Sequence, residues 1–220
     1  MKFEELRHDG KIKGYQHTRE NKFYFFGTAH TTREELPRLF PQYEFCFLKQ
    51  VHGRDVINAK PGELPHADGH FTETPGLALV SQSADCMPIL LSSNSAVCAI
   101  HAGWRGMALN IIAAAKDKMP GINFAAIGPH IMRESFEVGL DVAQQLHAAA
   151  PAPDSTMSVP ASDPQKRLFD LRKLAAAQLV RPFTDCSMDT KTNPLFHSYR
   201  RGKSGTDRQY SFVVITREVR

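Results

Sequence analysis

Residues 77–106 read LALVSQSADCMPILLSSNSAVCAIHAGWRG. Three apolar runs stand in this stretch, LALVSQS, MPILL and AVCAIH, separated by Ser, Asn, Ala and Asp. Short continuous apolar runs bounded by turn residues predict buried β-strands. Alternation along AVCAIH sends Ala96, Cys98 and Ile100 to one side and Val97, Ala99 and His101 to the other. Cys98 therefore reads as a small core residue that faces away from His101, and Cys46, between Phe45 and Phe47, reads the same way. After HAG the period changes. Met107, Ile111, Ile112 and Ala115 recur at helical spacing, which predicts a helix over 106–119 that ends at Pro120 and Gly121.

The flanks extend the pattern. Upstream, FCFLK from Phe45 and then RDVINA read as strands, and before them FYFFGTA (residues 23–29) is the one strand expected in the first forty residues, followed by a polar segment at 31–41. Downstream, NFAAIG (123–128) reads as a buried strand and 140–149 as a helix stopped by Pro151 and Pro153. A third helix is expected over 170–181, with Asp170 as N-cap and Pro182 as its stop, and FVVIT (212–216) as a closing interior strand. The 151–166 stretch is rich in Pro and Ser and could pass for a linker. Only some fifty residues follow it, too few for an independent core, so the reading is one domain over 1–220 with a surface loop at 151–166.

A 220-residue chain read as one domain buries roughly 70% of the surface that its unfolded chain exposes, so no disulfide or metal is needed to hold it together. With 42% hydrophobic and 23% charged residues it is neither disordered nor fibrous. The net charge of +4 is too mild to indicate nucleic acid. The charged start MKFEELRHDGKIK and the lack of an 18-residue apolar run give no signal peptide and no membrane helix, so a cytoplasmic protein is expected. The four cysteines, widely spaced and without a C-x-x-C pair, then read as free thiols or ligands.

KQVHG (49–53), SADCMP (83–88) and HAGWRG (101–106) each place a metal-capable side chain beside a Gly or Pro turn: His52, Cys86 and His101. Two imidazoles and a thiolate suit Zn²⁺ and leave a fourth position open, as catalytic zinc requires. The gaps of 34 and 15 residues match no short zinc signature, so spacing alone favours three unrelated buried side chains over a metal site. The same trio allows a cysteine hydrolase, with Cys86 as nucleophile and His52 or His101 as base. With Met87 it also imitates a blue-copper set, although ten histidines without a His-x-His pair argue against a multi-copper oxidase. HADGH (66–70) is a weaker second metal candidate, since its Gly implies a turn. In FHSYRRGKSGTDRQ (196–209), Arg200, Arg201, Lys203 and Arg208 surround Gly202 and Gly205. The run reads as an anion-binding loop or as a solvated basic one, and GKSGT lacks the first glycine of a P-loop.

Taken together, KQVHG, ADG at 67–69, SADCMPILL, AVCAIHAGWRG, AAIGPHI, FEVG, FDLRKLAAAQL, FHSYRR and GTDRQ resemble, in this order, the YfiH family, from Phe45 to the C-terminus. The resemblance implies one α/β (α+β) domain with mixed β-sheets packed between helices. Family members were labelled laccase-domain or multicopper polyphenol oxidases, and are understood as zinc-dependent purine nucleoside enzymes with phosphorylase and adenosine deaminase activities. It implies His52, Cys86 and His101 as zinc ligands, with copper the alternative metal, and purine nucleosides and phosphate as substrates. On this reading Asp85 would orient a ligand from behind, while Arg105, Arg200 and Arg208 would stand near phosphate. The chain departs from the family in lacking an N-terminal Gly-rich segment with an Arg, and in carrying Glu134, Ser135 and Phe136 where a Cys-Cys-Tyr is common. An interaction protein with a vestigial site is therefore a further alternative.

Overall fold

The computed structural model describes residues 3–179, 183–202 and 206–217. One six-stranded sheet has the order β1 (Glu4–His8), β2 (Lys11–Arg19), β3 (Lys22–Gly27), β15 (Gln209–Ile215), β7 (Leu77–Ser83) and β4 (Glu44–Cys46). A second has the order β14 (Thr184–Asp185), β10 (Phe124–Ile127), β8 (Met87–Ser92), β9 (Val97–Ala102), β6 (Gly69–Thr72) and β5 (Val56–Asn58). A small antiparallel sheet joins β11 (Glu137–Gly139), β13 (Lys166–Phe169) and β12 (Ser158–Pro160). The helices are α1 (Leu36–Leu39), α2 (Trp104–Ala108), α3 (Ile111–Lys118), α4 (Leu140–Ala148), α5 (Leu171–Leu179) and α6 (Tyr199–Gly202).

The two large sheets are mixed, since β4 runs parallel to β7 while β15 is antiparallel to both of its neighbours. Their inner faces meet in a core of Tyr24, Phe26, Leu79 and Val213 against Leu90, Val97, Ala99 and Ala126. The outer face of the first sheet packs Phe25, Val80 and Phe212 against Leu36 and Phe40 at α1. The outer face of the second packs Ile89, Leu91, Cys98 and Ile100 against Ile111 and Ile112 of α3, Leu146 of α4 and Leu174 of α5. The sheets are thus packed between helices, which is the expected α/β architecture. Strands buried on both faces explain why their sequences read as unbroken apolar runs. Cys98 lies in the helix-side core and Cys46 in the inter-sheet core, as alternation predicts.

Three expectations change. The first twenty residues hold two strands, β1 at the edge of the sheet and β2 beside it, whose charged and polar residues hide any apolar run. Their hairpin signal is Asp9-Gly10: His8 pairs with Lys11 across a two-residue loop, with both loop residues at positive φ (50° and 72°). The helix expected over 106–119 is two helices broken at Asn110, whose φ of 60° is left-handed. The 151–166 stretch carries a 3₁₀ turn (Ser155–Met157) and β12, and Met157 is buried in the core. Asp170 does cap α5, accepting a bond from Lys173 N at 3.0 Å; Arg181, Pro182, Lys203 and Gly205 lie outside the described residues. Among the described residues no helix is long and apolar enough to cross a membrane.

Leu90 is fully buried between the sheets. Leu90→Ala is expected to destabilise the protein by about 2–5 kcal/mol, whereas Asp170→Ala, which removes only a cap, should cost about 1 kcal/mol. Urea unfolding midpoints at unchanged slope measure both, and equal shifts would contradict this layering.

Candidate metal centre

The chain passes from the first large sheet to the second between β7 and β8, and Cys86 sits at the end of that crossover. His101 is near the end of β9, and His52 lies in the KQVHG loop with a φ of 60°. Residues far apart in sequence thereby converge: the ligand atoms of His52, Cys86 and His101 all lie within 4.8 Å of one another. The two imidazoles meet edge-on at a ring separation of 4.9 Å. His101 is buried, whereas His52 is exposed, so the centre opens on the His52 side. Gly103 makes the convergence sterically feasible, because a Cβ there would lie 3.1 Å from both Cys86 Sγ and His52 Cδ2. Gly106 does the same for the neighbouring loop, where a Cβ would meet the Gly53 carbonyl at 2.8 Å.

Behind the trio stands Asp68, whose position the sequence reading missed. Its carboxylate accepts the backbone N–H of Val51, His52 and Gly53 at 3.1, 2.9 and 2.7 Å. It also accepts Nδ1–H of His101 at 2.8 Å. Nδ1 is thereby committed, and Nε2 is the atom left to ligate, the carboxylate–histidine arrangement common behind bound metals. Burial alone would raise the Asp68 pKa, but the bonds from His101, Gly53 and Val51 hold it below the ordinary carboxylate value. The only sequence signal was HADGH, read for its histidines. Those histidines diverge: His66 is exposed, and buried His70 bonds through Nε2 to the Val80 carbonyl at 3.1 Å. Among the described residues His52, Cys86 and His101 form the one potential metal-binding group.

Burial opposes ionisation of Cys86, yet the charge of His101 and hydrogen bonds from His101 and His52 outweigh it and bring the thiol down to about 6. For His101, burial favours the neutral ring, but the Cys86 charge and the Asp68 bond raise it to about 9. The other thiols go the opposite way through burial, Cys46 to about 11 and Cys98 and Cys186 upward as well. Cys86 alone among the four is set up as a thiolate, the form in which cysteine binds metal. The donor set, the committed tautomer and the space left by Gly103 fit a metal ion. Met87, next in β8, is buried in the helix-side core and cannot serve as an axial ligand to the trio.

Asp85 (φ 90°) holds a different part of the molecule from the one expected. Its carboxylate accepts Thr190 Oγ1 at 2.6 Å and Arg200 N at 2.7 Å, so it ties α6 and the 190 loop to the Cys86 turn; the carboxylate that bonds a member of the ligand trio is Asp68. Arg200 then lines a cavity of about 360 Å³ with Trp104, Glu137, Val138, Gly139, Val142 and Lys166. Its Nη1 donates to the Glu137 carbonyl at 2.9 Å. Exposed Arg105 stacks at 4.4 Å over the ring of Trp104, one of the residues that line this cavity. Arg208 stands just before β15 and donates to the Asp207 carbonyl at 2.7 Å. Arg201 is structural, donating to the carbonyls of Thr190, Lys191, Asn193 and Phe196. In the departing segment Ser135 Oγ donates to Asp189 at 2.6 Å and Phe136 is core, while Glu134 pairs with Arg133 at 2.9 Å on the surface.

Comparison with known proteins places this architecture. Residues 29–216 match the sequence model of the multi-copper polyphenol oxidoreductase laccase family. The chain is 35% identical over 179 residues to a purine nucleoside phosphorylase of Pseudomonas aeruginosa, covering 76% of this chain and 72% of that protein. It is 33% identical over 180 residues to purine nucleoside phosphorylase YfiH of Escherichia coli, with the same coverage of 76% and 72%. A crystal structure of a Neisseria meningitidis protein superposes with a TM-score of 0.84 at 25% identity, over 93% of this chain and 100% of that one. Family model, relatives and fold agree, and the chain belongs to the YfiH family, whose sequence model carries the laccase description.

Proposed function

We propose that this protein is a zinc-dependent purine nucleoside enzyme that carries out phosphorolysis of adenosine, inosine or guanosine and hydrolytic deamination of adenosine. The observation that carries the reading is the convergence of His52, Cys86 and His101 with Asp68 committed behind His101. Relatives named purine nucleoside phosphorylase support the substrate class. Zinc held by this trio would supply a Lewis acid and activate water at neutral pH. Asp68 fixes the His101 tautomer and, through three backbone N–H groups, the position of His52. His52, on the exposed side, faces arriving substrate. In phosphorolysis phosphate attacks C1′ and the purine leaves, giving free base and ribose 1-phosphate. Arg200, held at its backbone by Asp85, is the cation assigned to phosphate, with Arg105 across Trp104 and Arg208 as further candidates. In deamination water replaces the 6-amino group and ammonia leaves, so phosphate is not consumed. The cytoplasm remains the proposed compartment, in keeping with the thiolate chemistry of Cys86.

One observation favours a second reading. Asp68, His101 and Cys86 stand in the order of an acid–histidine–thiol triad, as a cysteine hydrolase would need. Zinc content separates the two, because a coordinated thiolate is not free to attack.

Purified protein is expected to hold about one zinc per chain, strongly reduced by Cys86→Ser or His52→Ala and unchanged in Cys98→Ser, as read by elemental analysis of folded protein. Full occupancy in Cys86→Ser would overturn the ligand assignment. Product chromatography should show adenosine converted to inosine without phosphate, and inosine or guanosine converted to free base only with phosphate, both lost on chelation. Activity that survives zinc removal and dies with a thiol alkylator would establish the hydrolase instead. Arg200→Ala should raise the phosphate KM by about tenfold or more through loss of a charge-assisted contact, with deamination changing less; proportional loss of both activities would remove Arg200 from phosphate binding.

A further inference from the structure

We propose that the cavity beside the metal centre, walled by Trp104, Val138 and Val142 and bearing the Glu137–Lys166 ion pair, is the seat of the purine base. This rests on the nucleoside reading above and adds the part of the site that recognises the base. The cavity is wired to the trio at two points: Trp104 follows Gly103, which packs against Cys86 and His52, and Arg200 on its wall is bonded to Asp85, the neighbour of Cys86. Its volume of about 360 Å³ lies in the range of roughly 300–1,000 Å³ typical of small-molecule sites.

Away from Arg200 the lining suits a flat heterocycle: one indole and two valines form apolar walls, and Lys166 is already neutralised by Glu137 at 2.8 Å and Asp163 at 3.7 Å. Arg200, the cation assigned above to phosphate, stands on the same wall with its Nη1 on the Glu137 carbonyl. Arg105 covers the Trp104 ring at 4.4 Å and fixes the indole as a stacking surface. The ion pair presents a donor, Lys166 Nζ, beside an acceptor, the Glu137 carboxylate. Hypoxanthine offers the complementary O6 acceptor and N1–H donor, and adenine offers an N1 acceptor and a 6-amino donor. A donor and acceptor side by side can therefore engage either base after a small in-plane shift, as an enzyme acting on both nucleosides requires.

The chain has a single tryptophan, so its fluorescence reports from the wall of this cavity, with zinc kept constant throughout. Zinc-loaded protein is titrated with hypoxanthine, and turnover of inosine is measured in parallel. We expect saturable quenching in the wild-type protein. In Val142→Phe, which fills the cavity, quenching should be lost and the inosine KM raised by about tenfold or more at unchanged zinc content. Turnover without quenching, or quenching that persists in Val142→Phe with the same affinity, overturns the placement and leaves the nucleoside reading intact. Quenching without turnover of any purine nucleoside keeps the base site and overturns the proposed reaction; neither signal overturns both. If Val142→Phe does not fold, Glu137→Gln takes its place, with weakened hypoxanthine binding expected and an unchanged affinity overturning the assignment.

Discussion

The Asp68 carboxylate is the constraint on which the rest of the centre depends. It is buried, and it receives four N–H donors, three from consecutive residues of the KQVHG loop and one from the His101 ring. A buried charge is tolerated when every lone pair is answered, and converging backbone N–H groups are a compact way to answer it. Through this one residue the position of His52 and the tautomer of His101 are set together. Loss of the carboxylate would leave the loop amides without their acceptor and His101 without its orienting partner, so fold and site are coupled at this point.

A second carboxylate does comparable work on the far side of Cys86. Asp85 gathers Thr190 and the first turn of α6, which places Arg200 on the wall of the cavity. Both His52 and Asp85 hold positive φ, a backbone state that side chains other than glycine adopt at a cost. The strain falls where two loops must turn sharply to aim functional groups at one point, and in each case hydrogen bonds to a carboxylate hold the turn. The crossover between the sheets, which a structural description alone would treat as a connection, is thus the scaffold of the chemistry.

Much of this was legible in the sequence, and the division has physical causes. β8, β9 and the LALV half of β7 announced themselves because burial on both faces leaves them apolar. β1, at the edge, and β2 beside it did not, because their sequences EELRH and KIKGYQHTR hold no apolar run; the turn pair Asp9-Gly10 was the available sign. Asn110 broke a helix that apolar spacing alone would continue. His52, Cys86 and His101 were readable because metal-capable side chains beside turns are uncommon. Asp68 was not, since its partners lie at residues 51–53 and at 101 and no local pattern encodes that convergence. The cavity is further removed, assembled from residues between 104 and 200 that only the tertiary structure brings together.

Asp68, His101 and Cys86 by themselves serve a nucleophilic thiol as well as they serve a metal, because both uses need a thiolate and an oriented imidazole. The residue that separates the two is His52. A thiol nucleophile needs one base, and His101, raised to about 9 beside the thiolate, already fills that part. A second imidazole bonded to the same sulfur would be redundant there and would crowd the attacking atom. As a third ligand it is required, and the structure invests in it: two of the four bonds to Asp68 hold the residues on either side of His52, a third holds its own N–H, and Gly103 leaves the space in which its ring approaches Cys86. The effort spent on positioning His52 favours a metal centre over a catalytic triad.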